Sequence, residues 1–186
     1  MSVKGKVILG IDPGTQILGF GLIESYGKSG KYIDMGIVDL RKLPDHFSKL
    51  SVIFERVEEL IEKYSPDEVA IEAPFYGKNV QSMLKLGRAQ GAAISCALNN
   101  KLPVTEYAPR KIKMAITGKG AASKEQVASI LCNVLKISEL PKRLDATDAL
   151  AVAYCHLINS ENILAQSSVR KSDWNSFVKN NPGRIK

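Results

Sequence analysis

A short aliphatic run that stops at a carboxylate, followed by a second run studded with glycine, constrains this chain more than any other feature. Val7, Ile8, Leu9 and Ile11 are apolar and mostly β-branched, with no polar alternation between them. That pattern predicts a strand buried on both faces, as in a sheet covered by helices. Asp12 ends the run and Pro13-Gly14 turns the chain. The second run, residues 18–23, interleaves Gly19 and Gly21 with Leu18, Phe20, Leu22 and Ile23. It predicts a hairpin partner whose glycines allow backbone or ligand to approach closely. Two readings of Asp12 stay open on these residues alone. It is a carboxylate placed at a strand exit for metal or phosphate chemistry, or it closes an Asx-turn onto Gly14.

A third strand is predicted over residues 32–40, linked through residues 24–31, so the first three strands run antiparallel. Then the apolar period changes. Phe47, Leu50, Phe54, Val57, Leu60, Ile61 and Tyr64 recur at steps of three and four, which predicts an amphipathic helix ended by Ser65-Pro66. A helical crossover brings the next strand, residues 68–72, parallel to a neighbour. It too ends in a carboxylate, Glu72. An aromatic and basic loop follows, Phe75-Tyr76-Gly77-Lys78-Asn79, and then a helix over residues 80–98. Gly87, Gly91 and Ser95 recur every four residues along it. Glycine costs a helix about 1 kcal/mol relative to alanine, so the stripe implies close packing, either on the chain's own sheet or on a second copy.

Residues 102–107 predict a final strand, with Pro103 placing it at an edge. Pro109 opens a helix to Thr117. Ser123, with Gln126 three residues on, is a capping-box signature for a helix to Leu135. Asp145 and Asp148 open an alanine-rich helix expected to end near Asn159. The organisation expected is a catalytic domain over residues 1–166 and a basic, mobile tail over 167–186. Residues 170–186 carry five Lys or Arg against one Asp, with Trp174 and Phe177 as docking points.

Charge narrows the class of partner. The 26 Lys and Arg exceed the 19 Asp and Glu, a net +7 over 186 residues, which favours a polyanion. Cys96, Cys132 and Cys155 lie far apart with no C-x-x-C pair, so reduced, buried thiols are expected. No signal-peptide core precedes Asp12, and no run nears the roughly 20 apolar residues of a membrane span. A cytoplasmic protein with no membrane association is expected.

Asp12 and Glu72 both stand at strand ends, and they share one sheet edge if their strands are parallel neighbours. Asp145 and Asp148 are three apart and share a helix face. Acidic residues also suit a helix start for its dipole alone, and Asp145 fits an N-cap. Four converging carboxylates in a basic protein need a neutralising cation. Mg²⁺, a hard ion bound through a few carboxylates and substrate phosphate, suits them. A pair of such ions about 4 Å apart would serve phosphoryl displacement.

The segments ILGIDPGTQILGFGLIE, VAIEAPFYGKNVQSMLKLGRAQG, EYAPRKIKMAITGKGAASKEQV and LDATDALAVAYCH together resemble the RuvC family of Holliday-junction resolvases. The likeness runs over residues 7–157, in family order and at family-like spacings. The resemblance implies an α/β, ribonuclease-H-like fold: a five-stranded mixed sheet, first three strands antiparallel, flanked by α-helices on both faces. It implies resolution of four-way DNA junctions in recombination and repair, by paired symmetric nicks through two-metal phosphodiester hydrolysis. Asp12, Glu72, Asp145 and Asp148 match the family's metal-binding acids, implying two Mg²⁺ per subunit with Mn²⁺ able to substitute. Lys113 and Lys124 match basic residues needed near the scissile phosphate. Phe75 matches an aromatic that stacks on a base at the opened crossover. Tyr76, Lys78 and Lys119 are further candidate DNA contacts. The resemblance also implies a homodimer through the helix bearing Gly87 and Gly91, and partnership with junction-binding and branch-migration motor proteins. Some relatives carry histidine where Asp148 stands, and His156 is read as structural.

Other classes compete. The Asp-Pro-Gly-Thr turn also resembles the phosphate loop of actin-like ATPases and sugar kinases, but those need two lobes and this chain has strands for one. A nuclease of the same fold acting on RNA or RNA–DNA hybrid, and a non-catalytic junction-binding module, are the alternatives within the fold. The presence of all four acids argues against the second.

Overall fold

A computed structural model describes residues 5–27, 29–74, 79–138 and 143–169, with side chains as far as Ser160. The first three strands, β1 (Lys6–Asp12), β2 (Ile17–Tyr26) and β3 (Ser29–Asp39), form an antiparallel meander. Helix α1 (His46–Tyr64) crosses to β4 (Glu68–Glu72), and α2 (Val80–Asn99) leads to β5 (Val104–Tyr107). Helices α3 (Pro109–Thr117), α4 (Lys124–Leu135) and α5 (Leu144–Val169) complete the chain. The five strands lie in the order β3-β2-β1-β4-β5, with β4 parallel to β1 and β5 parallel to β4. This is the ribonuclease-H-like α/β arrangement expected, with β5 at the edge.

Strand alternation divides the core between the two faces. Leu9, Ile11, Val69 and Ile71 face α1 and α2, while Ile8 and Ala70 face the side of α3, α4 and α5. With a period of two, Asp12, Glu68 and Glu72 fall on the α5 face. Helix α5 is apolar on nearly every side there: Ala149, Leu150, Ala151, Val152, Ala153, Cys155 and Leu157 are all buried.

The glycines of the opening stretch explain how α5 lies so close. A Cβ on Gly10 would stand 2.3 Å from the Ala149 carbonyl oxygen, and one on Gly21 would stand 2.5 Å from the Leu150 Cα. Any side chain at either position would push the helix off the sheet, so the close approach belongs to a helix backbone rather than to a ligand. The stripe on α2 behaves differently. A Cβ on Gly87 or Gly91 meets nothing within 4 Å, so the reading in which this stripe packs on the chain's own sheet is not what the fold shows.

Several boundaries differ from the sequence expectation. Strand β2 runs on to Tyr26 and β3 begins at Ser29, so the two pair as a long hairpin, with Gly27 in the left-handed region at φ 61°. Helix α5 runs to Val169 rather than ending near Asn159. Residues 160–169 contain neither glycine nor proline, and polarity alone does not stop a helix. Helix α4 carries the expected capping box, Ser123 and Gln126 each bonding the other's backbone. Cys96, Cys132 and Cys155 are buried free thiols. Among the described residues no helix is long and apolar enough to cross a membrane.

Candidate active site

The parallel pairing of β1 and β4 sets Ile11 opposite Ile71, so the next residues, Asp12 and Glu72, emerge side by side. Both point toward α5 and both are largely removed from water. Burial first, then the nearby Asp148 carboxylate, pushes the Asp12 pKa up to about 6, although the Lys124 ammonium pulls the other way. Burial, then Asp12 and Asp148, pushes Glu72 up to about 8. Burial is the largest cause for both carboxyls, and the two titrate as a coupled pair.

Asp148, on the first turns of α5, accepts a hydrogen bond from the Lys124 ammonium and is only 14% exposed in its side chain. Burial would lower the Lys124 pKa, but the Asp148 hydrogen bond and the charges of Asp148, Asp12 and Asp145 outweigh it and raise it. Lys124 is the first residue of α4 after the Ser123 cap, so free N–H groups of the helix start lie near the same charge. Asp12, Glu72, Lys113, Lys124 and Asp148 line a cleft of about 170 Å³, walled on its apolar side by Pro109, Ile112, Val127 and Ala151.

Asp145 is held more loosely to this group. Its carbonyl oxygen would lie 2.3 Å from a Cβ on Gly19, which fixes the first turn of α5 on β2. Its charge is felt at Asp12 and Lys124, but its side chain does not line the cleft. Among the described residues no three acidic, imidazole or thiol side chains close into a ready-made cage for an ion. Burial and neighbouring carboxylates raise both Asp12 and Glu72 toward their protonated forms, and the Lys124 ammonium holds Asp148. The donor set, carboxylate oxygens alone, fits a hard divalent cation.

Of the other sequence candidates, Lys113 lies in the cleft, half-buried on α3. Lys119 does not. It is exposed in the α3–α4 connection and borders a separate depression with Thr117 and Gln126. Phe75, Tyr76 and Lys78 lie outside the described residues, as does the chain beyond Val169. Sequence reasoning missed Gln90. This buried glutamine of α2 donates to the Glu72 carbonyl at 3.2 Å and to Glu106 Oε2 at 3.0 Å, pinning the strand end that carries Glu72. Its signal was a lone amide beside the buried Ala89 and Ala93 on the same helix.

Comparison with known proteins places this geometry in company. The family model described as crossover junction endodeoxyribonuclease RuvC matches residues 8–156, which include all four acids. The RuvC protein of Christiangramia forsetii is 57% identical over 183 residues, covering 97% of this chain and 93% of that protein. The RuvC protein of Bacteroides fragilis is 55% identical over 186 residues, covering 99% and 98%. The solved structure of Thermus thermophilus RuvC in complex with Holliday junction substrate superposes with a TM-score of 0.76 at 28% identity, covering 84% of this chain and 96% of that one.

Proposed function

This chain belongs to the RuvC family of crossover junction endodeoxyribonucleases, and from that premise we propose that the cleft between β1, β4, α4 and α5 is where it cuts four-way DNA junctions. The function is resolution of Holliday junctions by hydrolysis of phosphodiester bonds, as paired symmetric nicks on two opposing strands. The observation that supports the site assignment is the convergence of Asp12 and Glu72 on one cleft with the Asp148–Lys124 ion pair. That is an anionic oxygen cluster which, in a basic protein, is short of a cation.

Asp12, Glu72, Asp145 and Asp148 are the residues that would hold metal, two Mg²⁺ per subunit with Mn²⁺ as a substitute. When bound, the ions would supply an activated water and offset charge on the departing 3′ oxygen. The protein's own part is distinct. Lys124 leaves Asp148 to meet the scissile phosphate. Lys113 adds a second positive charge at the same rim, and Pro109, Ile112 and Val127 limit water on the opposite wall. Phe75 would stack on a base at the crossover, a contact worth about 1–3 kcal/mol, with Tyr76, Lys78 and Lys119 holding the DNA arms.

The partner subunit would sit on α2. Gly87 and Gly91 open onto empty space, and Leu84 and Leu98 beside them are 51% and 57% exposed, which supports a homodimer that cuts two strands symmetrically. Three free thiols and a nucleic-acid substrate suit the cytoplasm. Junction-binding and branch-migration motor proteins are the further partners proposed.

Incubation of purified protein with labelled immobile four-way junction, linear duplex and RNA–DNA hybrid, with and without Mg²⁺, tests this reading. Paired nicks confined to the junction and dependent on Mg²⁺ are expected. Equal cutting of the hybrid would point instead to a ribonuclease H activity.

A further inference from the structure

Helix α5 carries two of the four acids, and its first turns lie over the glycines of the sheet. Gly10, Gly19 and Gly21 present bare backbone to it, and the helix answers with Ala149, Leu150 and Ala153. Ridges of side chains packed into grooves normally fix one element along another, and at Gly10, Gly19 and Gly21 the sheet offers none. A polar chain two turns past Asp148 supplies what is missing. Tyr107 Oη lies 3.0 Å from His156 Nδ1, His156 Nε2 lies 2.6 Å from Glu68 Oε2, and Lys6 Nζ lies 2.5 Å from Glu68 Oε1. Tyr107 and His156 are 2% and 5% exposed.

The donor directions follow from chemistry. Burial would raise the Glu68 pKa, but hydrogen bonds from Lys6 and His156 outweigh it and lower it. An ionised Glu68 accepts from His156 Nε2–H, and in the neutral imidazole Nδ1 is then the acceptor for the Tyr107 hydroxyl. Every polar group in the chain is satisfied, and Lys111 covers the Tyr107 ring at 4.9 Å. Tyr107 is paired in register with Glu72, and its carbonyl accepts from the Ala73 N–H at 2.9 Å. Among the described residues, His156 is the side chain of α5 that hydrogen-bonds to the sheet.

We propose that Tyr107, His156 and Glu68 form a strut that sets the axial position of α5 on the sheet, and so the spacing of Asp145 and Asp148 from Asp12 and Glu72. They are positioning residues for cation binding. The inference rests on the metal-binding reading of those four acids, and it goes beyond that reading by assigning the distant residues that set the geometry. A helix shifted along its axis carries both aspartates with it, so the strut acts on metal affinity rather than on junction binding.

The test is Mn²⁺ binding to the full-length, DNA-free protein by calorimetry, together with single-turnover junction cleavage across Mn²⁺ concentrations. His156→Leu is expected to weaken Mn²⁺ binding by about 10-fold, the lower end of what supporting partners of metal ligands cost. The Mn²⁺ concentration for half-maximal cleavage should rise by the same factor. Junction affinity without metal should stay at the wild-type level. His156→Gln, which can both donate and accept, should restore most of the affinity. Tyr107→Phe removes one hydroxyl with little change in packing, and carries the test if His156→Leu does not fold. A fall in melting temperature with Mn²⁺ affinity and cleavage unchanged would overturn the strut. Wild-type protein that binds no Mn²⁺, or Asp12→Asn that binds it equally well, would instead overturn the metal assignment beneath it.

Discussion

Glu68 and Glu72 sit four residues apart on one strand and one face, and they are held in opposite ways. At the start of β4, Glu68 accepts from Lys6 and His156, and its pKa is lowered despite burial. At the end of β4, burial and two neighbouring carboxylates push Glu72 up to about 8. The same strand and the same covering helix serve both. The difference is the partners: a cation and an imidazole at one end, more acid at the other. A satisfied carboxylate holds a fold together, whereas an unsatisfied cluster is kept at a cost in stability, and such clusters mark sites that do chemistry.

The largest effect expected is at the unsatisfied end. Asp12→Asn keeps the volume of the side chain and removes its charge, and cleavage should fall by at least about 10²–10³-fold. Junction binding, measured by gel shift without metal, should change little. Cleavage at the wild-type rate would break the assignment of this end as the active centre. Lys124→Met should also cost cleavage on the order of 10²-fold, since it removes the ammonium that would meet the phosphate.

Next come the glycines beneath α5. Gly21→Val forces a branched side chain against the Leu150 backbone, and a loss of about 3 kcal/mol or more is expected in urea unfolding. A stable variant with an unshifted α5 would mean that the close approach is not needed.

The two glutamates then give a direct contrast in pH dependence. For Asp12 and Glu72 the folded pKa lies above the unfolded value, so the folded state binds more protons between the ordinary carboxylate range and about pH 8. Metal-free stability should therefore fall as pH rises through that window. Glu68 has the reverse sign: its contribution is present above the ordinary glutamate pKa and lost as pH falls. Glu72→Gln should stabilise metal-free protein at pH 8 by about 1–2 kcal/mol, since a neutral amide replaces a charge that burial disfavours. Glu68→Gln should destabilise it at pH 7 by about 1–3 kcal/mol, mainly through the buried bond to His156. The Lys6 contact is half-exposed and contributes little. If both substitutions move urea midpoints in one direction, the contrast between the two ends fails.

The smallest effect on the folded subunit is at Gly87. Gly87→Ala meets nothing in its own chain and should be neutral or gain about 0.5–1 kcal/mol of helix stability. Sedimentation should nevertheless show a weaker dimer. An unchanged dimer would move the subunit contact away from this stripe.

How much of this was legible in the sequence depends on the kind of signal. Short apolar runs and helical steps of three and four gave the element order, because burial leaves a mark along the chain that each kind of element spaces differently. The capping box at Ser123 was readable for the same local reason. Asp12 was ambiguous until a second strand-end carboxylate, Glu72, was set beside it. The glycines Gly10 and Gly21 announced a close approach, but which element came close is a tertiary fact. The end of α5 was missed because the polar residues 159–162 interrupt its apolar run, although nothing in residues 160–169 breaks a helix. Gln90 and the Tyr107–His156–Glu68 strut join residues from distant elements, so no local pattern pointed to them.

Burial raises Glu72 and the Lys124 ammonium meets Asp148 at the place proposed for a divalent cation. Calorimetric titration of Mg²⁺ into metal-free protein at pH 7, repeated in buffers of different ionisation enthalpy, counts the protons released. The prediction is release of about one proton on binding by wild-type protein, with the release lost in Glu72→Gln. Binding with no proton released, or with the same release from Glu72→Gln, would contradict it.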